Sequence, residues 1–388
     1  DVYKRQLLLS TALVGGLALT GIANAQTTVT GEINLSWKSI DNGNGTNTNA
    51  TTVGNDNQSG FGRETQLNIQ NKGKLSNGVD YAAGFSLEFD GLSGKSSSGT
   101  DTAAIDSRIS RIANENVFID LIFGPTTISV GSDHLNNMSF SSVPRVAQHM
   151  GTTLASAQYD STGSSQASGA GGGVAYKFYP GGATMGASNY MGIGAQHVTP
   201  FGTITGQFFP KASAQQAGND GVARTSVKTA YEAHFRGDLG VKGLSFNAGY
   251  NFIAQNGATT AAGGADDQIG KAIGIGYNFG TFAVGVQKNY TNNGGLQSSA
   301  TLIDTDSTEI GATYALTKEI TLGAQRVKTQ GTYFGTAAMT TDEVATSYSI
   351  GYNLGAINSS LTYGKLVDAR GVSGVDSDIL LVRTGIKF

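Results

Sequence analysis

The sequence predicts an all-β fold: a sixteen-stranded antiparallel transmembrane β-barrel. Three observations carry that prediction. Polarity alternates with a period of two in segment after segment. The connections between those segments alternate between short and long. The composition, finally, suits paired strands: 56 glycines, only 5 prolines and no cysteine in 388 residues. Proline removes a donor from a strand ladder, so its scarcity fits extensive pairing. Abundant glycine without a three-residue period excludes collagen.

The alternation is clearest at the C-terminus. Leu380, Val382, Thr384, Ile386 and Phe388 share one parity, and Ile379, Leu381, Arg383, Gly385 and Lys387 the other. Side chains of a strand alternate between faces, so these are two sides of one strand. The first strand behaves alike: Val29, Gly31, Ile33, Leu35 and Trp37 oppose Thr30, Glu32, Asn34, Ser36 and Lys38. Leu67 and Ile69 then alternate with Gln66, Asn68 and Gln70, and Val79 to Phe89 follows the same rule after a tight turn. Later strands read Tyr231, Ala233, Phe235; Leu244, Phe246, Ala248, Tyr250, Phe252; Ile273, Ile275, Tyr277; Phe282, Val284, Val286; Ile310, Ala312, Tyr314; and Tyr348, Ile350, Tyr352. Each opposes polar residues, the pattern of a strand with one apolar face.

Short connections fall near residues 73–78, 123–127, 199–202, 238–243, 278–281, 316–319 and 354–356. Long ones fall near 41–60, 91–110, 133–188, 212–223, 254–267, 291–305, 328–341 and 366–376. Seven short and eight long connections join sixteen strands. An even strand number with turns at one end and loops at the other is the layout of a bacterial membrane barrel.

The aromatics sort to both strand ends. Tyr277, Phe279, Phe282, Tyr314, Tyr352 and Phe388 lie beside short turns, and Trp37, Phe89, Tyr290 and Tyr363 beside long loops. Two aromatic belts flanking an apolar band mark two membrane interfaces, whereas a soluble sandwich has no reason to sort them so. In hydrocarbon every backbone polar group must be paired, which forces strands to close. The opposite face is too polar for a packed core, and sixteen strands leave room for water inside.

The N-terminus carries a separate message. Residues 1–6 are read as non-native, adaptor-derived sequence, because their back-translation resembles a sequencing-adaptor end. Residues 7–25 read as a secretory signal peptide: an uncharged apolar stretch, then Ala23-Asn24-Ala25, with cleavage expected between Ala25 and Gln26. Cleavage there would leave residues 26–388 as the barrel domain. It would remove one acid (Asp1) and two bases (Lys4, Arg5), taking the formal net charge from -3 to -4. No stretch after residue 25 is apolar enough for a membrane-spanning helix. The balanced charge offers no basic patch for nucleic acid. An exported chain without cysteine needs stability from a source other than disulfides, such as a large closed sheet or an oligomer.

Motifs for chemistry are missing. The four histidines, His134, His149, His197 and His234, lack metal-ligand spacing, and neither a G-x-S-x-G elbow nor a phosphate-binding loop occurs. The acids at 304–309 and 266–267 read as solvated loop charge. The expectation is no enzyme, no metal and no cofactor.

The chain resembles the general diffusion porins of Gram-negative outer membranes. The resemblance is carried by residues 26–37, 67–89 and 116–132, the layout of seven turns, and the terminal Thr384-Gly385-Ile386-Lys387-Phe388. It implies a homotrimer of sixteen-stranded barrels in outer-membrane lipid, with short periplasmic turns and long extracellular loops. It implies passive diffusion of small hydrophilic solutes and ions through a water-filled channel. It also implies a third loop folded into the lumen, and insertion by an assembly machinery that reads Phe388.

The third loop here is residues 133–188, far longer than most connections. It offers Asp133 and Asp160 as acids and Arg145, His134 and His149 among its potential cations. If residues 171–179 cross the membrane with a partner, the barrel has eighteen strands instead. Where the family opposes arginines to the loop, this chain has Gln66 and Ser132. The expected pore-lining charges are Arg383 and Lys38, with Lys365 near the rim, Arg108 and Arg111 ahead of the fourth strand, and the acids Glu32 and Glu88. Two other readings stay open: a substrate-selective channel, and a structural or adhesive barrel without an open pore.

Overall fold

The structure, a computed structural model, describes residues 26–41, 58–91, 113–132, 135, 191–210, 229–253, 268–292, 302–333, 341–368, 373–374 and 376–388. Side chains at several strand ends lie outside this set.

Sixteen antiparallel strands form one closed barrel in which every strand pairs with its two sequence neighbours and β1 pairs with β16. The first half comprises β1 (Gln26–Asp41), β2 (Gln58–Lys74), β3 (Asp80–Gly91), β4 (Ala113–Phe123), β5 (Thr126–Gly131), β6 (Gly192–Thr199), β7 (Gly202–Phe209) and β8 (Ala230–Gly237). The second comprises β9 (Leu244–Ile253), β10 (Gln268–Asn278), β11 (Phe282–Asn292), β12 (Leu302–Ala315), β13 (Ile320–Tyr333), β14 (Glu343–Leu354), β15 (Ile357–Val367) and β16 (Ser377–Lys387). The ring is complete with sixteen, so the eighteen-strand alternative is overturned. A further pair has no unpaired edge to join, although residues 171–179 themselves lie outside the described residues. Two boundaries differ clearly from expectation, both on the β12–β13 hairpin. β12 begins at Leu302, so residues 304–309, read from sequence as loop charge, belong to a strand ladder, and Glu309 is buried on its inward face. β13 runs to Tyr333, because Lys328 and Thr329 continue the ladder against β14 and the strand continues against β12 up to Leu302.

Period two sets the two faces. On β14, Tyr348, Ile350 and Tyr352 are exposed outward while Ser347, Ser349 and Gly351 are buried inward. On β10 the exposed set is Ile273, Ile275 and Tyr277, and the inward set is Gly270, Ala272, Gly274 and Gly276. The outward face is therefore the apolar one on strand after strand, the reverse of a soluble barrel.

The short turns have local causes. Asn278 Oδ1 accepts the Gly280 N–H at 2.7 Å and Asn353 Oδ1 the Gly355 N–H at 2.9 Å. Both glycines hold φ values of the left-handed region, 100° and 71°, which cost a side-chain-bearing residue far more. On β4 a bulge shifts the register against β3 between Gly84 and Ser86, and Asn116 (φ 51°) ties itself to Ser86 Oγ by its side-chain amide at 2.8 Å.

The closing seam rests on the chain's last residue. Gly31 N–H donates to the Phe388 carbonyl at 2.7 Å, and Phe388 N–H donates to the Gly31 carbonyl at 2.9 Å. The Phe388 ring lies over Gly31: a Cβ there would sit 2.6 Å from Phe388 Cζ. The same device recurs where Tyr81 covers Gly73. An aromatic ring in the lipid-facing layer thereby shields a glycine that has no side chain of its own to pack.

Candidate pore lining

The inward positions build a polar wall. Arg383 on β16 stands between Ser36 of β1 and Ser360 of β15, at mid-height and half-buried. Lys38 lies one row away on the same face, opposite Leu381, so its position is diagonal to Arg383 across the seam. A second group forms a single row. Glu32, Gln66 and Glu88 oppose one another on β1, β2 and β3, with Lys387 at the end of the row. Glu32 Oε2 lies 3.5 Å from Lys387 Nζ, and its Oε1 accepts the Asn34 amide at 3.4 Å. The expected grouping of Arg383 with Lys38 and the row of Glu32 with Gln66 and Glu88 are thus neighbours in the barrel.

Lys365 is a correction. It shares parity with Leu361 and Tyr363 and is exposed with them, so it projects from the outer wall and not into the lumen. Its inward neighbours are Gly364 and the fully buried Leu366. Asp133, His134, Arg145, His149, Asp160, Arg108 and Arg111 lie outside the described residues, as does Ala25, while Gln26 begins β1.

Other inward groups were not singled out from sequence. Asn247 of β9 donates to Gln287 Oε1 of β11 at 3.4 Å, over the backbone of the intervening Gly274. With no side chain at 274, the space between those two is left clear. The chain continues from Gln287 to Asn289 at 2.6 Å and from Asn289 to Ser307 at 3.4 Å. On β13, Gln325 donates to Glu309. On β8, His234 Nδ1 is 3.0 Å from Glu232 Oε1, both nearly fully buried. Parity alone places each of these inside, but their partnerships require the register of two or three strands.

One residue of the third long loop, Leu135, is among the described residues. Leu135 is fully buried and packs near Gly192 and Phe209, and its carbonyl accepts the Gln207 side-chain amide at 2.9 Å. Gln207 and Phe209 both have inward parity on β7. Three residues beyond Ser132, then, the chain is inside the barrel wall.

With a closed sixteen-strand wall, apolar outside and polar inside, the family comparison is decisive. A Gram-negative porin family model matches residues 10–382. The chain belongs to the Gram-negative porin family. It is an outer-membrane porin, and its barrel is a water-filled channel for passive diffusion of small hydrophilic solutes and ions. Solved structures share the fold at low identity. OmpF of Salmonella typhi, solved in complex with daunomycin, is 12% identical, with 93% of this chain and 97% of that one covered and a TM-score of 0.59. A loop-deletion mutant of OmpT, an outer-membrane protein of Vibrio cholerae, is 10% identical over 94% and 99%, with a TM-score of 0.58. A mutant of Rh. blastica porin is 14% identical over 94% and 100%, with a TM-score of 0.52. No curated protein matches the chain. In this porin the aromatic belts and the apolar band meet lipid, and the wall bearing Arg383 meets water.

Proposed function

We propose that this porin is a general diffusion channel, with ion passage biased by Arg383 and Lys38 and with Arg145 of the third loop as their partner in the lumen. The observation that carries the reading is the placement of Arg383: inward parity, mid-height, and one row from Lys38 across the seam. Charges lining a narrow aqueous path select ions by sign. Glu32 and, by register, the position of Glu88, with Gln66 between them, fall on the strands adjoining the same seam. Asp133, Asp160, His149, Arg108 and Arg111 are proposed contributors at the constriction. A ladder of inward aromatics would favour a substrate-selective channel. Among the described side chains the inward aromatics Phe118 and Phe209 are instead buried against the wall, over Gly84 and Gly192.

The finer assignments belong to the same proposal: a homotrimer, insertion through Phe388, signal cleavage between Ala25 and Gln26, residues 1–6 as non-native sequence, and no catalytic role. Reversal potentials under a salt gradient test the ion path. Arg383→Ala is expected to lower the anion-to-cation permeability ratio while leaving the barrel folded. An unchanged ratio removes Arg383 from the path.

A further inference from the structure

Charge stands on the outer wall where apolar side chains would be expected. Along β13 the outward positions read Ile320, Leu322, Ala324, Arg326, Lys328 and Gln330. Arg326 and Lys365 flank Thr346, the β14 residue that opposes both. Strands lie about 4.7–4.9 Å apart, so the two Cα atoms are about 10 Å from each other. Lys328 follows Arg326 on the same face, and Lys288 shares its row across Thr308.

The cations in this cluster differ in their partners. Lys288 is paired with Asp306, and Lys328 Nζ lies 2.5 Å from Asp342 Oδ2. Hydrogen bonds from Lys328 and Gln330 hold the Asp342 carboxyl below the usual carboxylate range, so that pair stays ionic into mild acid. Asp378 opposes Lys365, but its Oδ1 accepts the Tyr363 hydroxyl at 3.0 Å. Arg326 and Lys365 make no ion pair or side-chain hydrogen bond among the described residues. Both are exposed.

The row one step deeper holds Ala324, Tyr348, Tyr363 and Leu380. Tyrosines gather at headgroup level, which puts Arg326 and Lys365 at the interface on the long-loop side. A lipid-facing cation is costly at the midplane and tolerated at the interface. There its natural counterion is a headgroup phosphate, which the planar arginine fork matches and a lysine reinforces. We infer that Arg326, Lys365 and the Thr346 hydroxyl between them form a binding site on the outer wall for the phosphate of an outer-leaflet lipid headgroup.

The test uses folded protein in maltoside micelles doped with phosphatidylglycerol or phosphatidylcholine, with bound lipid counted by native mass spectrometry. Wild type is expected to retain phosphatidylglycerol in preference to phosphatidylcholine. The double variant Arg326→Gln/Lys365→Gln is expected to retain about ten-fold less or lower still, because two charge-assisted contacts are lost. Lys271→Gln, a control farther round the same face, is expected to match wild type. Heat-modifiable electrophoretic mobility confirms that each variant is folded. Equal retention by the double variant, or no preference for the anionic lipid, overturns the site. Displacement of the lipid by an equal concentration of inorganic phosphate assigns a free-anion site and overturns the lipid assignment. A change in oligomeric state with lipid retention intact makes this face a protein contact and likewise overturns it.

Discussion

Gly31→Val is expected to destabilise the barrel, although valine is ordinarily the better strand residue. Glycine in a strand interior costs roughly 0.5–1 kcal/mol against alanine, so replacing it should normally help. Here the Phe388 ring occupies the space, with Cζ 2.6 Å from where even a Cβ would be. Valine must push the ring aside and strain the two backbone hydrogen bonds that join Gly31 to Phe388. Overpacking of this kind costs about 1–3 kcal/mol. Urea unfolding of protein refolded into lipid vesicles, followed through the single tryptophan, Trp37, measures it. Phe388→Ala should lose stability too, but Gly31→Val added to Phe388→Ala should cost little more, because the clash is gone. That non-additivity is the signature of the contact. A Gly31→Val protein as stable as wild type would remove Phe388 from the seam.

A charge on the lipid face should be costlier still. Ile275 is exposed at the middle of the apolar band, between Phe246 of β9 and Val286 of β11. Ile275→Arg is expected to cost about 2–4 kcal/mol, the price of an arginine at the bilayer midplane. Gln70→Arg, at an inward position on β2 opposite Thr28, should change stability by no more than about 0.5 kcal/mol, as surface substitutions usually do. Folding yield in vesicles separates the two. Equal effects at the two positions would mean that the faces have been assigned wrongly.

The fold was legible because one period governs both the membrane and the strand. Alternation in residues such as Tyr348, Ile350 and Tyr352 names the lipid face without any knowledge of neighbours, and the run of turns fixes the strand number. Partnerships were less legible. Nothing in the sequence says that Asn247 and Gln287 meet, since that depends on Gly274 lying between them in register. Lys365 illustrates the opposite error. Its closeness to Arg383 suggested a shared lumen, yet its own parity with Tyr363 places it outside. Where grouping by charge and grouping by period disagree, the period decides, because a one-residue slip moves a side chain through the wall.

The most direct measurement is conductance across a planar bilayer to which folded protein has been added. A closed wall with a polar, water-filled interior predicts stepwise, ohmic increments that persist at low voltage. In a trimer each insertion adds three such units. Well-folded protein, shown by its resistance to unfolding in detergent without heat, that inserts yet passes no current would contradict the open channel.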